Sequence, residues 1–128
     1  MTLTIGDRFA IVQLVERADN CASERDADGY AALFTEDGSM LGAMGTAIGC
    51  DALRQTVSRV WATEPAGTLH LTLNAAIDDS GDDPIVNSTM LLVQPGSPPQ
   101  MVGVARIRQR IRRTNDEWLI SERAITDS

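Results

Sequence analysis

Aromatic residues are scarce in this 128-residue chain: Phe9, Tyr30, Phe34, Trp61 and Trp118 are all it has. So few large rings leave room for an open interior and argue against an assembly module whose interior is filled by bulky side chains. Histidine is scarcer still. His70 stands alone, and without a cluster of His, Cys, Asp and Glu at ligand spacing no metal site is expected. The two cysteines, Cys21 and Cys50, fit no metal spacing and make no disulfide framework, so both are read as reduced, buried thiols. No apolar run approaches the ~20 residues of a membrane span, and the N-terminus lacks the basic-then-apolar layout of a signal peptide. A cytoplasmic protein with no membrane partner is expected. A net charge of −7 leaves no broad basic surface for phosphates, which excludes nucleic acid as a partner. Arg106, Arg108, Arg110, Arg112 and Arg113 are a local exception; their alternation reads as a solvated or intersubunit strand face, with Ile107 and Ile111 opposite. Gly42, Gly45 and Gly49 make no phosphate loop, because no lysine follows in the required place. No cofactor is expected.

What the chain does have is periodicity. Thr4 and Asp7 form a variant of the capping box, and Ile11, Leu14, Val15, Ala18 and Ala22 then fall on one helical stripe, predicting a helix to about Glu24. Asp19 flanks that stripe. Asp26 caps a short second helix carrying Tyr30, Leu33 and Phe34, and Glu36-Asp37-Gly38 reads as a turn. Ser39 to Ile48 suits a glycine-rich, irregular hairpin. Gly49-Cys50-Asp51 opens a third helix with Leu53, Val57, Val60 and Trp61 on its apolar face, and Glu64-Pro65-Ala66-Gly67 ends it.

From there the period changes to two. Leu69, Leu71 and Leu73 alternate with His70, Thr72 and Asn74, the pattern of a half-buried strand, so the three polar residues share one face and can line one pocket. Further strands are predicted at Ile85 to Gln94, Met101 to Arg113 and Trp118 to Ile125. Three helices followed by a meander of about four strands indicate a single α+β domain over residues 1–128, with the helices on one face of an antiparallel sheet. The outer face carries Leu69, Leu71 and Leu73, or Leu91 and Val93. A single domain has no second layer to cover it, so a curled sheet and a homodimer through this face are both expected.

Four local strings carry a resemblance. Asp26-Ala27-Asp28-Gly29-Tyr30-Ala31-Ala32-Leu33-Phe34-Thr35-Glu36-Asp37-Gly38 is similar to a D-x-x-x-x-x-x-L-F-x-x-D-G segment, Gly49-Cys50-Asp51-Ala52-Leu53-Arg54 to a G-x-x-A-I-R helix start, His70-Leu71-Thr72-Leu73-Asn74 to an H-L-x-x-N strand, and the stretch from Arg112 to Ile125 to a closing hairpin. In that order they resemble the SnoaL-like branch of the nuclear transport factor 2-like superfamily. The resemblance implies a cone-shaped α+β barrel, with three N-terminal helices packed on a strongly curved, mainly antiparallel sheet around an apolar pocket. The superfamily includes ketosteroid isomerase, scytalone dehydratase, bile-acid dehydratase, lindane dehydrochlorinase, limonene epoxide hydrolase and polyketide cyclases, alongside non-catalytic binding modules. Fold alone therefore implies a pocket and not a reaction.

In the dehydratase and dehydrochlorinase members the histidine at the position of His70 is a proton-abstracting base, oriented by a carboxylate from the end of the first helix. Here that carboxylate position falls on Ser23, the frequent tyrosine on Ala18, and the ketosteroid isomerase base near Gly42. Asp19, ~40° from Ser23 on the helical wheel, is the candidate replacement. The expectation is a displaced His70–Asp19 catalytic dyad, with Asn74 and Thr72 orienting a hydrophobic small-molecule ligand and Arg123 as an anion-stabilising donor. Met40 and Trp61, with Met44, Met90 and Met101, would supply a plastic apolar lining. The residues equally allow His70 as a satisfied core histidine, Asp19 as a solvated rim residue or ion-pair partner of Arg17 or Arg25, and Arg123 as structural. Two functions follow: a cofactor-independent lyase or isomerase using His70 as base, or a non-catalytic small-molecule-binding homodimer.

Overall fold

The computed structural model describes residues 2–127. Helix α1 (Ile5–Glu24) begins at the expected box: the Thr4 hydroxyl accepts the Asp7 N–H at 3.0 Å and the Asp7 carboxylate accepts the Thr4 N–H at 2.9 Å. Two of the orphan donors at the helix start are thereby satisfied. The helix stops at Arg25, in the left-handed conformation at φ 60°, whose N–H returns to the Ala22 and Cys21 carbonyls. The expected stripe is buried, and Asp19 is buried with it.

Helix α2 (Ala27–Ala31) is capped by Asp26, which accepts the Gly29 N–H at 2.9 Å. Strands β1 (Phe34–Gly42) and β2 (Gly45–Ile48) form the hairpin, and α3 (Cys50–Ala62) follows Gly49, whose φ of 89° suits glycine alone without strain. Strands β3 (Leu69–Asp78), β4 (Ile85–Gln94), β5 (Gln100–Thr114) and β6 (Glu117–Asp127) complete one six-stranded sheet in the order β2-β1-β6-β5-β4-β3. It is mixed and not wholly antiparallel, because β1 pairs with β6 in parallel. Phe34 belongs to β1 instead of the short helix, and the Glu36-Asp37-Gly38 "turn" is an irregularity within that strand, between Phe34 and Ser39.

Side chains of β5 separate cleanly by parity. Ala105, Ile107, Gln109 and Ile111 are buried, whereas Arg106 and Arg108 are exposed on the other face. The core lies between the inner face and the helices, with Ile11, Leu14 and Val15 of α1 and Leu53, Val57 and Trp61 of α3 against Val86, Ile111 and Ile120. Each such aliphatic side chain contributes about 1.5–3 kcal/mol by leaving water. On the outer face Leu69, Leu71, Leu73, Val102 and Val104 are exposed. Leu71 stands opposite Leu91 and Leu91 opposite Val104, so the apolar side chains form rows across three strands. Among the described residues no helix is long and apolar enough to cross a membrane. The thiols are less buried than expected: Cys21 is half-buried and Cys50 exposed. Burial, with Asp26 and Glu24 nearby, pushes the Cys21 thiol up.

Candidate active site

A cavity of about 270 Å³ opens between α3 and the inner sheet face. Met40, Trp61, Met90 and Leu92 give it an apolar wall, and Tyr30 packs its ring edge-on to Trp61 at 5.4 Å. Against that wall stand three groups able to carry charge: Glu64, His70 and Arg123.

Arg123 reaches the cavity from β6 and is almost wholly buried, at 1% exposure. Its Nη2 donates to Asp19 Oδ1 at 2.7 Å and its Nη1 to Gln109 Oε1 at 3.1 Å, Gln109 being its direct partner on β5. The guanidinium lies 5.7 Å from the Tyr30 ring centroid, close enough for a cation–π contribution. The Thr72 hydroxyl donates to the other Asp19 oxygen. Both oxygens of Asp19 are therefore occupied. Arg123 Nε and Gln109 Nε2 are buried without a partner among the described residues. Burial opposes the Arg123 charge, but the Tyr30 oxygen and the Asp19 carboxylate more than offset it, so the guanidinium stays protonated. Burial likewise pushes the Tyr30 phenol up, with Arg123 pulling the other way, and Tyr30 remains a neutral hydroxyl facing Met40 Sδ at 3.5 Å.

His70 is fixed at both backbone and ring. Ser23 Oγ accepts the His70 N–H at 2.8 Å and lies 3.3 Å from its carbonyl oxygen. The ring Nε2 lies 2.9 Å from Glu64 Oε1, and Arg25 Nη2 approaches the same oxygen at 3.2 Å. Among the described residues no group of three or more His, Cys, Asp and Glu side chains converges as a metal-binding cluster would.

The displaced dyad does not form. Asp19 pairs with Arg123 and Thr72, and the carboxylate on His70 is Glu64. Arg25, considered as a partner for Asp19, instead meets Glu64. Arg123, Met40 and Trp61 line the cavity with His70, as do Gly42 and Met44 of the hairpin, whereas Met101 is exposed outside it. Thr72 is half-buried and lies outside the lining, spent on Asp19. Asn74 does not share the His70 face. It adopts φ 55° and is exposed, because Asn74 and Ala75 together stand opposite the single residue Ser88 between the Leu73–Thr89 and Ala76–Asn87 pairs. This β-bulge ends the alternation that put it beside His70. Sequence reasoning missed Glu64, Gln109 and Tyr30. Gln109 carried a signal, being a polar residue on the inward parity of β5.

The sequence matches the SnoaL-like domain over residues 4–124. The chain belongs to the SnoaL-like family. This SnoaL-like protein is similar in structure to a cystatin-like-fold protein of unknown function from Nostoc punctiforme, at 28% identity and TM-score 0.91, covering 100% of this chain and 96% of that one. ActVI-ORFA from Streptomyces coelicolor shares the fold at 20% identity and TM-score 0.84, with 96% and 98% of the two chains covered. A protein from Catenulispora acidiphila, solved in complex with S-DNPA, does so at 19% identity and TM-score 0.82, with 95% and 93% covered. No curated protein is similar enough in sequence to count as a match.

Proposed function

We propose that this SnoaL-like protein takes an apolar small molecule into the cavity and acts on it as a cofactor-independent lyase or isomerase of dehydratase or cyclase type. The observation that carries this reading is that His70 and Arg123, a base and a permanent cation, line one mostly apolar cavity, with Arg123 Nε left without a partner among the described residues. In such a site His70 removes a proton from the carbon next to a carbonyl. The C–H electron pair moves toward the carbonyl oxygen, and Arg123 donates to the resulting enolate in a low-dielectric setting. Reprotonation elsewhere completes an isomerisation; loss of a group from the β carbon completes an elimination. A volume near 270 Å³ lies just below the usual range of about 300–1,000 Å³ for ligand sites, which suits a one- or two-ring compound. The Catenulispora neighbour's complex with S-DNPA supports a small-molecule role for the same fold. We read the sheet as curving into a cone about this cavity, and the leucine–valine rows of its outer face as the contact with a second copy of the chain.

The test is exchange of α-protons of small cyclic aryl ketones such as 1-tetralone in D₂O, followed by NMR. Catalysed exchange that falls about 10²–10⁴-fold in His70→Ala supports the base assignment; exchange no faster than buffer across the ketone series sinks it. A second reading, a non-catalytic binder, is favoured by Ser23, which takes the place of the family's carboxylate and is spent on the His70 backbone. That reading expects the ketones to bind without exchange. Leu71→Arg is expected to convert a dimer to monomer in sedimentation; a monomeric parent protein would overturn the interface.

A further inference from the structure

We propose that Glu64 is the positioning residue of the His70 base, turning the imidazole so that Nδ1 is its basic nitrogen and Nε2 carries the proton. The inference rests on the reading of His70 as a base but makes a separate commitment about which atom acts. A carboxylate only accepts hydrogen bonds, so the ring nitrogen 2.9 Å from Glu64 Oε1 must be the one bearing hydrogen. A neutral imidazole has one N–H, and the lone pair is then on Nδ1. Nδ1 has no protein hydrogen bond among the described residues, and the ring lines the cavity.

Among the described residues no other side chain hydrogen-bonds the ring, although Arg123 Nε and Gln109 Nε2 remain unpartnered. Asp19 is closed off by Arg123 and Thr72, Arg123 faces Asp19, Gln109 and Tyr30, and Ser23 holds the His70 backbone. Glu64 is the group left to set the ring. It is also well held: its N–H returns to the Trp61 carbonyl at 3.2 Å, and Arg25 braces its oxygen. Arg25 is fixed in turn by Nη1 donating to the Ala22 carbonyl at 2.7 Å and the Thr68 carbonyl at 3.4 Å. The turn carrying Glu64 is tied to β4 by Gln94, which donates to the Ala66 carbonyl at 2.8 Å. When Nδ1 takes the substrate proton, the imidazolium that forms presents its Nε2–H to the Glu64 carboxylate. The substrate retains the electron pair as an enolate beside Arg123.

Because His70 is the sole histidine, its ring nitrogens give unambiguous signals in histidine-¹⁵N-labelled protein. The neutral wild-type ring is expected to carry hydrogen on Nε2 and its lone pair on Nδ1, with the ring N–H protected from solvent exchange. Glu64→Leu and Glu64→Ala, which leave no acceptor for the Nε2–H, are expected to lose that protection while keeping a cooperative melt. For exchange of 1-tetralone they should lower kcat by about a hundredfold, as misplacement of a reacting group does, with KM little changed. A wild-type lone pair on Nε2, or Glu64 variants with wild-type ring protection, would overturn the inference. The nitrogen assignment needs no substrate: if no ketone exchanges, the lyase reading fails while the orientation of the ring is still decided.

Discussion

Asp19 and Glu64 are two carboxylates facing two arginines across the same small region, and they differ in what is left over. Asp19 sits mid-helix at 2% exposure with one oxygen on Arg123 and the other on Thr72, a closed set. Glu64 sits just beyond α3, its side chain 10% exposed at the cavity edge, with one oxygen shared by Arg25 and His70. A closed buried pair holds the fold to one arrangement, since removing either partner strands the other charge away from water. An open pair next to a cavity can follow a change of charge on its neighbour. The carboxylate nearest the expected place along α1 is thus structural in its contacts, and the one in the turn touches the histidine.

That contrast can be broken by measurement. The largest effect is expected for Asp19→Ala, which leaves Arg123 charged and uncompensated and should lower the unfolding free energy by about 3–5 kcal/mol in urea titration. An equal loss in Glu64→Ala would erase the distinction between the two. Next comes Ser23→Ala: the His70 N–H loses its partner, for about 1–3 kcal/mol, and the ring loses its anchored backbone. Tyr30→Phe sharpens the electrostatic side. The Tyr30 pKa is raised by burial, so the folded state keeps a proton that the unfolded state releases above about pH 10. Stability from this group is full below that pH and is lost as pH rises toward the folded value. Denaturation midpoints should therefore fall less steeply in alkali for the phenylalanine variant than for wild type. The smallest effect is expected at the surface, where Arg54 meets Asp28 at 3.6 Å and also Asp51. Arg54→Ala should change stability by no more than about 1 kcal/mol, and salt should shrink even that.

The elements that were legible in the sequence are those whose pattern is local. The capping box of α1, its buried stripe and the bounds of β4 follow from spacing alone. The first half of β1 was not legible, because Glu36-Asp37-Gly38 has turn composition and stays in the strand through the pairings of Phe34 and Ser39 with distant β6 on either side of it. Gly38 is needed there for close approach: a Cβ would sit 2.9 Å from both the Phe34 Cβ and the Thr35 carbonyl oxygen. Of the site, His70 and Trp61 could be named because strand alternation and a helical stripe single them out, and Met40 and Arg123 because an adaptable apolar side chain and a permanent cation suit such a pocket. Glu64 could not, since in Glu-Pro-Ala-Gly it reads as a helix stop, and only the return of β3 brings His70 to it. Asn74 misled for the opposite reason: period-2 arithmetic assumes that no residue is extra, and asparagine is one of the few residues at ease with positive φ.

That extra residue makes β3 tolerant in an unusual direction. A chain lacking Asn74 would pair Ala75 with Ser88 in ordinary register, leaving His70 and Thr72 inward and Ala75 and Ile77 still against the core. Replacing Asn74 by valine keeps the surplus residue while forbidding the backbone that absorbs it. At this one position excision is the gentler operation, and a shorter gene would encode the better-behaved strand.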